Sequence, residues 1–197
     1  MSRGKTKMNE LIINTTQKKD ISNNQDLTKP RQRVKYWDKD YIDATLDTIQ
    51  NKVHKLFFFL LWRTGVRVTE AISLQKRNVD LDNYTLEIKW LKKRRYETRL
   101  IPLHPDLRNV LDYYASTLKA DDRLFDFSRQ RADQLAKKYF KGSCHMFRHS
   151  FAVNWLRSQG DLYLLSKMLG HSSITVTEIY LEIVPVDVGK ELLKIQF

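Results

Sequence analysis

The stretch HMFRHSFAVNWL, residues 145–156, sets two histidines and an arginine at the head of an apolar run. It reads as a helix over about 144–158. A spacing of three places His145 and Arg148 on one helical face, where both can touch one phosphate. A lone histidine in a helix is more often structural or solvated. A metal reading is weak, because His145 and His149 at i and i+4 lack the intervening glutamate and an obvious third ligand. No metal is expected.

Upstream, TGVRVTEAISL (64–74) puts Arg67 at a helix start just after a break at Gly65, with Glu70 three residues on. Read alone, this is a surface ion pair. It is also the arrangement of an anion-holding arginine, oriented by Glu70 beside free helix N–H groups. Downstream, LGHSSITVTEIY (169–180) puts His171 just past a glycine helix stop and Tyr180 nine residues later. Each of these signals is weak in isolation.

The remaining periodicity predicts a mainly helical domain with one small antiparallel sheet. Asp38 is placed to cap a helix with Tyr41, Ile42, Leu46 and Ile49 at helical spacing. A buried helix follows at about Val53–Arg63, containing FFFLLW, and a short one at Thr69–Leu74. Thr85–Trp90 alternates as a strand and Arg99–Leu103 is a second, with the basic stretch between them as the hairpin tip. Pro105 opens a helix through Leu118. Further helices are expected at about 129–140, 161–169 and 174–181, with Gly160 and Gly170 as stops, and a short amphipathic one at about Asp187–Ile195.

Composition narrows the partner. In 197 residues, 42% hydrophobic and 11% aromatic, there is enough apolar material for a real core. The single cysteine, Cys144, excludes an internal disulfide framework and suits a reducing cytoplasm or nucleoid. The longest apolar run, Leu56–Trp62, is too short to span a bilayer, so no membrane partner is expected. Lys and Arg exceed Asp and Glu by 35 to 23, a net charge of +12, which favours a polyanion. Nine of the bases fall in residues 1–35, a polar stretch read as a flexible arm. Six more, Lys89, Lys92, Lys93, Arg94, Arg95 and Arg99, crowd the hairpin against one acid.

Together and in this order, TGVRVTEAISL, a basic hairpin ending RLIPL, HMFRHSFAVNWL and LGHSSITVTEIY resemble the catalytic domain of the tyrosine recombinases, the phage integrases and the Xer family. The resemblance runs from about Lys35 to Tyr180. It implies the tyrosine recombinase catalytic-domain fold over 36–182, between the arm and a tail, 183–197, that makes subunit contacts. It implies a nucleophile at Tyr180, phosphate-binding Arg67, His145, Arg148 and His171, and a general-acid lysine on the hairpin. Counting forward from Leu86 and Ile88 lands near Lys92, strand alternation favours Lys93, and counting back from RLIPL arrives at Arg94. Lys92 and Lys93 are both retained, with Lys89, Arg94, Arg95 and Arg99 expected to contact DNA. Relatives commonly carry a histidine two residues past the tyrosine, where this chain has Glu182.

The implied activity is site-specific DNA recombination through a 3′-phosphotyrosine, without cofactor, metal or ATP. His145 would take the Tyr180 proton, the arginines would hold the transition-state oxygens and His171 would add a hydrogen bond. The partners implied are double-stranded DNA, a homo-tetramer on paired sites formed from a monomer or weak dimer, and an accessory DNA-bending protein. A cytoplasmic, nucleoid-associated protein is expected. The polar first 35 residues cannot build the helical core-binding domain common in the family, which suggests a minimal member similar to the short fimbrial invertases, or a truncated chain. Two rivals are a type IB topoisomerase, which works as a monomer, and a catalytically idle DNA-binding regulator on the same fold.

Overall fold

The computed structural model describes residues 34–92 and 95–184. The order is α1 (Lys39–Thr48), α2 (Lys52–Thr64), α3 (Val68–Ser73), β1 (Val79–Asp80), β2 (Thr85–Lys92), β3 (Arg95–Pro102), α4 (Pro105–Ser116), α5 (Arg129–Phe140), α6 (His145–Arg157), α7 (Leu162–Leu169) and α8 (Thr175–Glu178). A single 3₁₀ turn, Lys76–Asn78, precedes β1. Mainly helical with one small antiparallel sheet, this is the expected fold class.

Helix α2 is apolar on nearly every side, and Leu56, Phe57, Phe58, Leu60, Leu61 and Trp62 are all buried. Such a helix has no face to give to water and becomes the axis of the core. Phe58 packs on Phe140 and Phe147 with ring centroids 5.1 and 5.3 Å away, and Phe57 on Phe125 at 5.1 Å. Burying each such ring contributes about 1.5–3 kcal/mol. The Asn51 side chain caps the helix start by accepting from His54 N–H at 2.9 Å. Gly65 ends it at φ 64°. A Cβ at Gly65 would lie 2.5 Å from Phe151 Cδ1, so its absence also lets α6 approach α2.

The sheet runs β1-β2-β3, antiparallel throughout. Leu86 pairs with Ile101 and Ile88 with Arg99, and Leu86, Ile88 and Ile101 are buried on the face toward the core. Sequence periodicity missed β1, which is only two residues long. The strands also run further into the basic stretch than expected, to the pair Lys92–Arg95. Of the hairpin, Lys93, Arg94 and the side chains of 90–96 lie outside the described residues.

A second cluster joins Ala152 and Val153 of α6, Leu165 and Leu169 of α7, and Tyr180. Val34, Tyr36, Ile183 and Val184 pack against it. Three local expectations change. The Asp38 side chain makes no cap; its carboxylate takes Arg157 Nη1 at 2.6 Å instead. The left-handed residue after α6 is Gln159, φ 62°, and Gly160 instead leaves room for the Trp155 indole. Helix α8 is a single turn, followed by further turns through Tyr180. The expected arm (except Val34 and Lys35) and the expected helix at 187–195 lie outside the described residues. Among the described residues, no helix is long and apolar enough to cross a membrane.

Candidate active site

Two glycine turns and one helix start converge here. At the first turn, Arg67 occupies the N-cap position of α3, and its side chain is 42% exposed. Glu70 accepts from its backbone N–H at 2.8 Å and from Nη1 at 3.1 Å. At the second, Gly170 closes α7 at φ 66° and delivers His171, whose Nδ1 sits 2.7 Å from the Thr177 hydroxyl. Thr177 is fully buried.

Arg148 joins the two turns. Its Nη1 donates to the Gly65 carbonyl at 3.0 Å and its Nη2 to the Leu169 carbonyl at 2.7 Å. It is only 3% exposed, and burial, reinforced by Arg67, lowers its pKa to about 10. It therefore remains a cation at neutral pH. Arg67, Arg148, His145 and Ser143 line one cleft of about 340 Å³ beside Arg129. A second, of about 950 Å³, is lined by Arg67, Glu70, Lys89, Arg99, Lys167 and His171. Arg67 borders both.

The histidines are held neutral. Burial lowers the pKa of His171 to about 4, with Arg148 and Arg67 adding to the effect. Burial and the same two arginines also lower that of His145. A neutral imidazole can accept a proton at one nitrogen and donate at the other.

Tyr180 is 2% exposed, and burial raises its phenol pKa against the pull of Arg148. Its hydroxyl lies 2.9 Å from Nδ1 of His149, rather than on His145, the expected proton acceptor. The His145 and His149 rings meet edge-on, with centroids 4.3 Å apart. Burial, then His145, lowers the His149 pKa to about 4. The sequence offers His149 only as a metal ligand. The i,i+4 spacing that suggested it also places it beside His145, and that was the available signal.

The structure thus brings together Arg67, His145, Arg148, His171 and Tyr180 of the expected set. The hairpin contributes differently. Lys89 is exposed and ion-pairs with Glu87 at 3.1 Å. Lys92 and Arg95 are placed by backbone pairing alone. Arg99, expected to face DNA, turns inward to Glu70 and is 9% exposed. For Glu70, burial favours the neutral acid, but Arg99 and then Arg67 outweigh it and hold the carboxyl below its usual range. Among the described residues, no three His, Cys, Asp or Glu side chains are grouped to hold a metal ion.

Comparison with known proteins places the fold and the family. The tyrosine recombinase XerA of Saccharolobus solfataricus is 30% identical over 169 residues, 83% of this chain and 57% of the relative. The XerH site-specific recombinase bound to palindromic difH substrate superposes with a TM-score of 0.65 at 20% identity, over 82% of this chain and 53% of that one. The catalytic domain of bacteriophage HP1 integrase superposes with a TM-score of 0.62 at 23% identity, over 81% of this chain and 94% of that domain. The chain thus spans little more than half the length of the XerA and XerH relatives. Residues 35–185, which include every expected catalytic side chain, match the phage integrase family, and the chain belongs to that family.

Proposed function

We propose that this chain is the catalytic part of a site-specific DNA recombinase that cuts and rejoins double-stranded DNA in the cytoplasm through a 3′-phosphotyrosine. The observation that carries the reading is the double grip of Arg148 on the Gly65 and Leu169 carbonyls. It gathers two arginines and two neutral histidines around clefts open to a phosphate, with a phenol behind them. The XerH relative, crystallised on its DNA substrate, supports duplex DNA as the ligand.

In this mechanism the Tyr180 oxygen attacks phosphorus, the bond to the 5′-oxygen breaks, and the phosphoryl group passes to the enzyme. A phenol whose pKa is raised by burial must lose its proton as it attacks, and neutral His145, exposed to the cleft, accepts it. Arg67 and Arg148 hold the non-bridging oxygens, and His171, oriented by Thr177, donates a further hydrogen bond. Lys92 or Lys93 protonates the departing 5′-oxygen. Because Tyr180 is buried against His149, attack requires that hydrogen bond to break first.

The arm, 1–35, adds phosphate contacts in this scheme, and the tail, 183–197, couples protomers in a tetramer on paired sites. Nicked suicide duplexes tiled across the DNA flanking the gene test the chemistry. Wild type should form a denaturant-resistant protein–DNA adduct, and Tyr180→Phe should bind equally and form none. An adduct with the phenylalanine variant would remove Tyr180 from its role.

A further inference from the structure

Arg99 stands on the core-facing side of β3, opposite the buried Ile88. A cation on such a face persists only when its donors are matched. Here they are. Nη1 and Nη2 meet Glu70 Oε1 and Oε2 at 3.1 and 2.7 Å, a two-pronged pairing, while Nε donates to the Met168 carbonyl at 3.0 Å. The guanidinium also fills the space over Gly170, where a Cβ would come within 2.7 Å of Nη1.

Each of these contacts lies one step from the chemistry. The carboxylate that Arg99 grips is the one that holds the Arg67 backbone and guanidinium. Met168 precedes Leu169, whose carbonyl anchors Arg148, and Gly170 precedes His171. The strand bearing Arg99 is also the second arm of the lysine hairpin. We infer that Arg99 is a positioning residue, a buried strut that keeps Glu70, and through it Arg67, in register with the His171 turn and ties both to the hairpin.

This reading replaces a DNA contact for Arg99. A phosphate approaching the guanidinium would meet the Glu70 carboxylate already seated on its paired face, and two anions would repel. Lysine substitutes only in part, because an ammonium keeps the charge but lacks the planar fork that spans both carboxylate oxygens while a third donor reaches Met168.

The inference rests on the recombinase reading, and its test separates the two. Arg99→Met and Arg99→Lys are compared with wild type in the full chain for DNA affinity across a salt series, thermal melting and single-turnover cleavage of a suicide duplex. DNA affinity should stay within about twofold with an unchanged salt slope, since no phosphate contact is lost. Cleavage by the folded protein should slow about 10- to 100-fold in Arg99→Met, the scale of a misplaced catalytic group, and less in Arg99→Lys. Glu70→Gln should slow Arg99→Met little further, because both act through one bridge. A salt slope lower by about one would make Arg99 a phosphate contact and overturn the inference. So would a cleavage loss no larger than the loss of folded protein.

A readout independent of cleavage is the carboxyl titration of Glu70 followed by ¹³C NMR. Its midpoint should rise in Arg99→Met and less in Arg99→Lys; an unmoved midpoint sinks the strut even if cleavage falls. Absence of any adduct from wild type would count against the recombinase reading alone, with the titration still deciding the strut.

Discussion

Replacing Gly65 by alanine tests how the fold holds the site. Gly65 sits at φ 64°, a left-handed conformation that costs an L-residue about 1–2 kcal/mol. The new Cβ would also lie 2.5 Å from Phe151 Cδ1 and 2.9 Å from Leu169 Cδ2, both on elements packed into the core. Overpacking of this kind costs about 1–3 kcal/mol more. A total loss of about 2–5 kcal/mol corresponds to a melting point lower by about 4–20 °C in a chain of this size. The injury should also reach the chemistry, because the Gly65 carbonyl anchors Arg148 and Arg67 lies two residues on. In protein kept folded at low temperature, cleavage should therefore slow at least about tenfold, with DNA affinity less affected. Adding Phe151→Ala should cost less than its effect in the wild-type background, by at least about 1 kcal/mol, since the clash partner is gone. The assays are calorimetric melting and single-turnover cleavage. A melting point within 2 °C of wild type, or cleavage at the wild-type rate, would refute the argument, the first value being about the least shift that 1 kcal/mol can give.

Three further expectations follow from the same contacts. His149 and His171, with pKa values near 4 in the folded state and about 6.5 unfolded, bind fewer protons folded than unfolded below pH 6.5. Stability should therefore be full above that pH and fall by up to about 1.4 kcal/mol per histidine per pH unit between 6.5 and 4, read as the urea midpoint. His149→Gln should flatten this slope, and an unchanged slope would show that His149 titrates normally. Thr177→Val removes the partner of His171 Nδ1 and should cost about 1 kcal/mol and slow cleavage without weakening DNA binding; equal rates would free His171 of that support. Ser128→Ala removes the cap that accepts from Arg131 N–H at 3.1 Å and should cost about 0.5–2 kcal/mol in urea unfolding while leaving cleavage untouched. A slower variant would show that the start of α5, which borders the cleft through Arg129, also supports the chemistry.

Much of this molecule could be read along the chain, for reasons visible in particular residues. Helix α2 announced itself because a run such as FFFLLW has nowhere to go but the core. The turns at Gly65 and Gly170 were legible because a left-handed terminus favours glycine. The candidate site was legible only as an ordered series of motifs, and the fold brings Arg67, His145, Arg148, His171 and Tyr180 of that series together. What periodicity could not supply was direction and partner. Asp38 has the chemistry of a cap yet goes to Arg157, 119 residues away in sequence. Arg99 looks like a surface cation among cations, and only the pairing of Ile88 with Arg99 reveals that its side chain faces inward. His149 meets Tyr180 across 31 residues, a contact that no local pattern encodes.

The burial of Tyr180 bears on fidelity. Under the proposed function, a phenol kept under cover would leave the free protein unarmed, and most chance encounters with duplex DNA would end before anything is cut. A closing preference of about 2.8 kcal/mol would leave about one molecule in a hundred presenting its hydroxyl at any moment. Whatever relieves that preference, a cognate phosphate or a neighbouring protomer, then gains up to about a hundredfold in rate without adding any new chemical group. Restraint of this sort would suit the proposed recombinase, whose covalent intermediate would keep a DNA strand open until a second strand arrives.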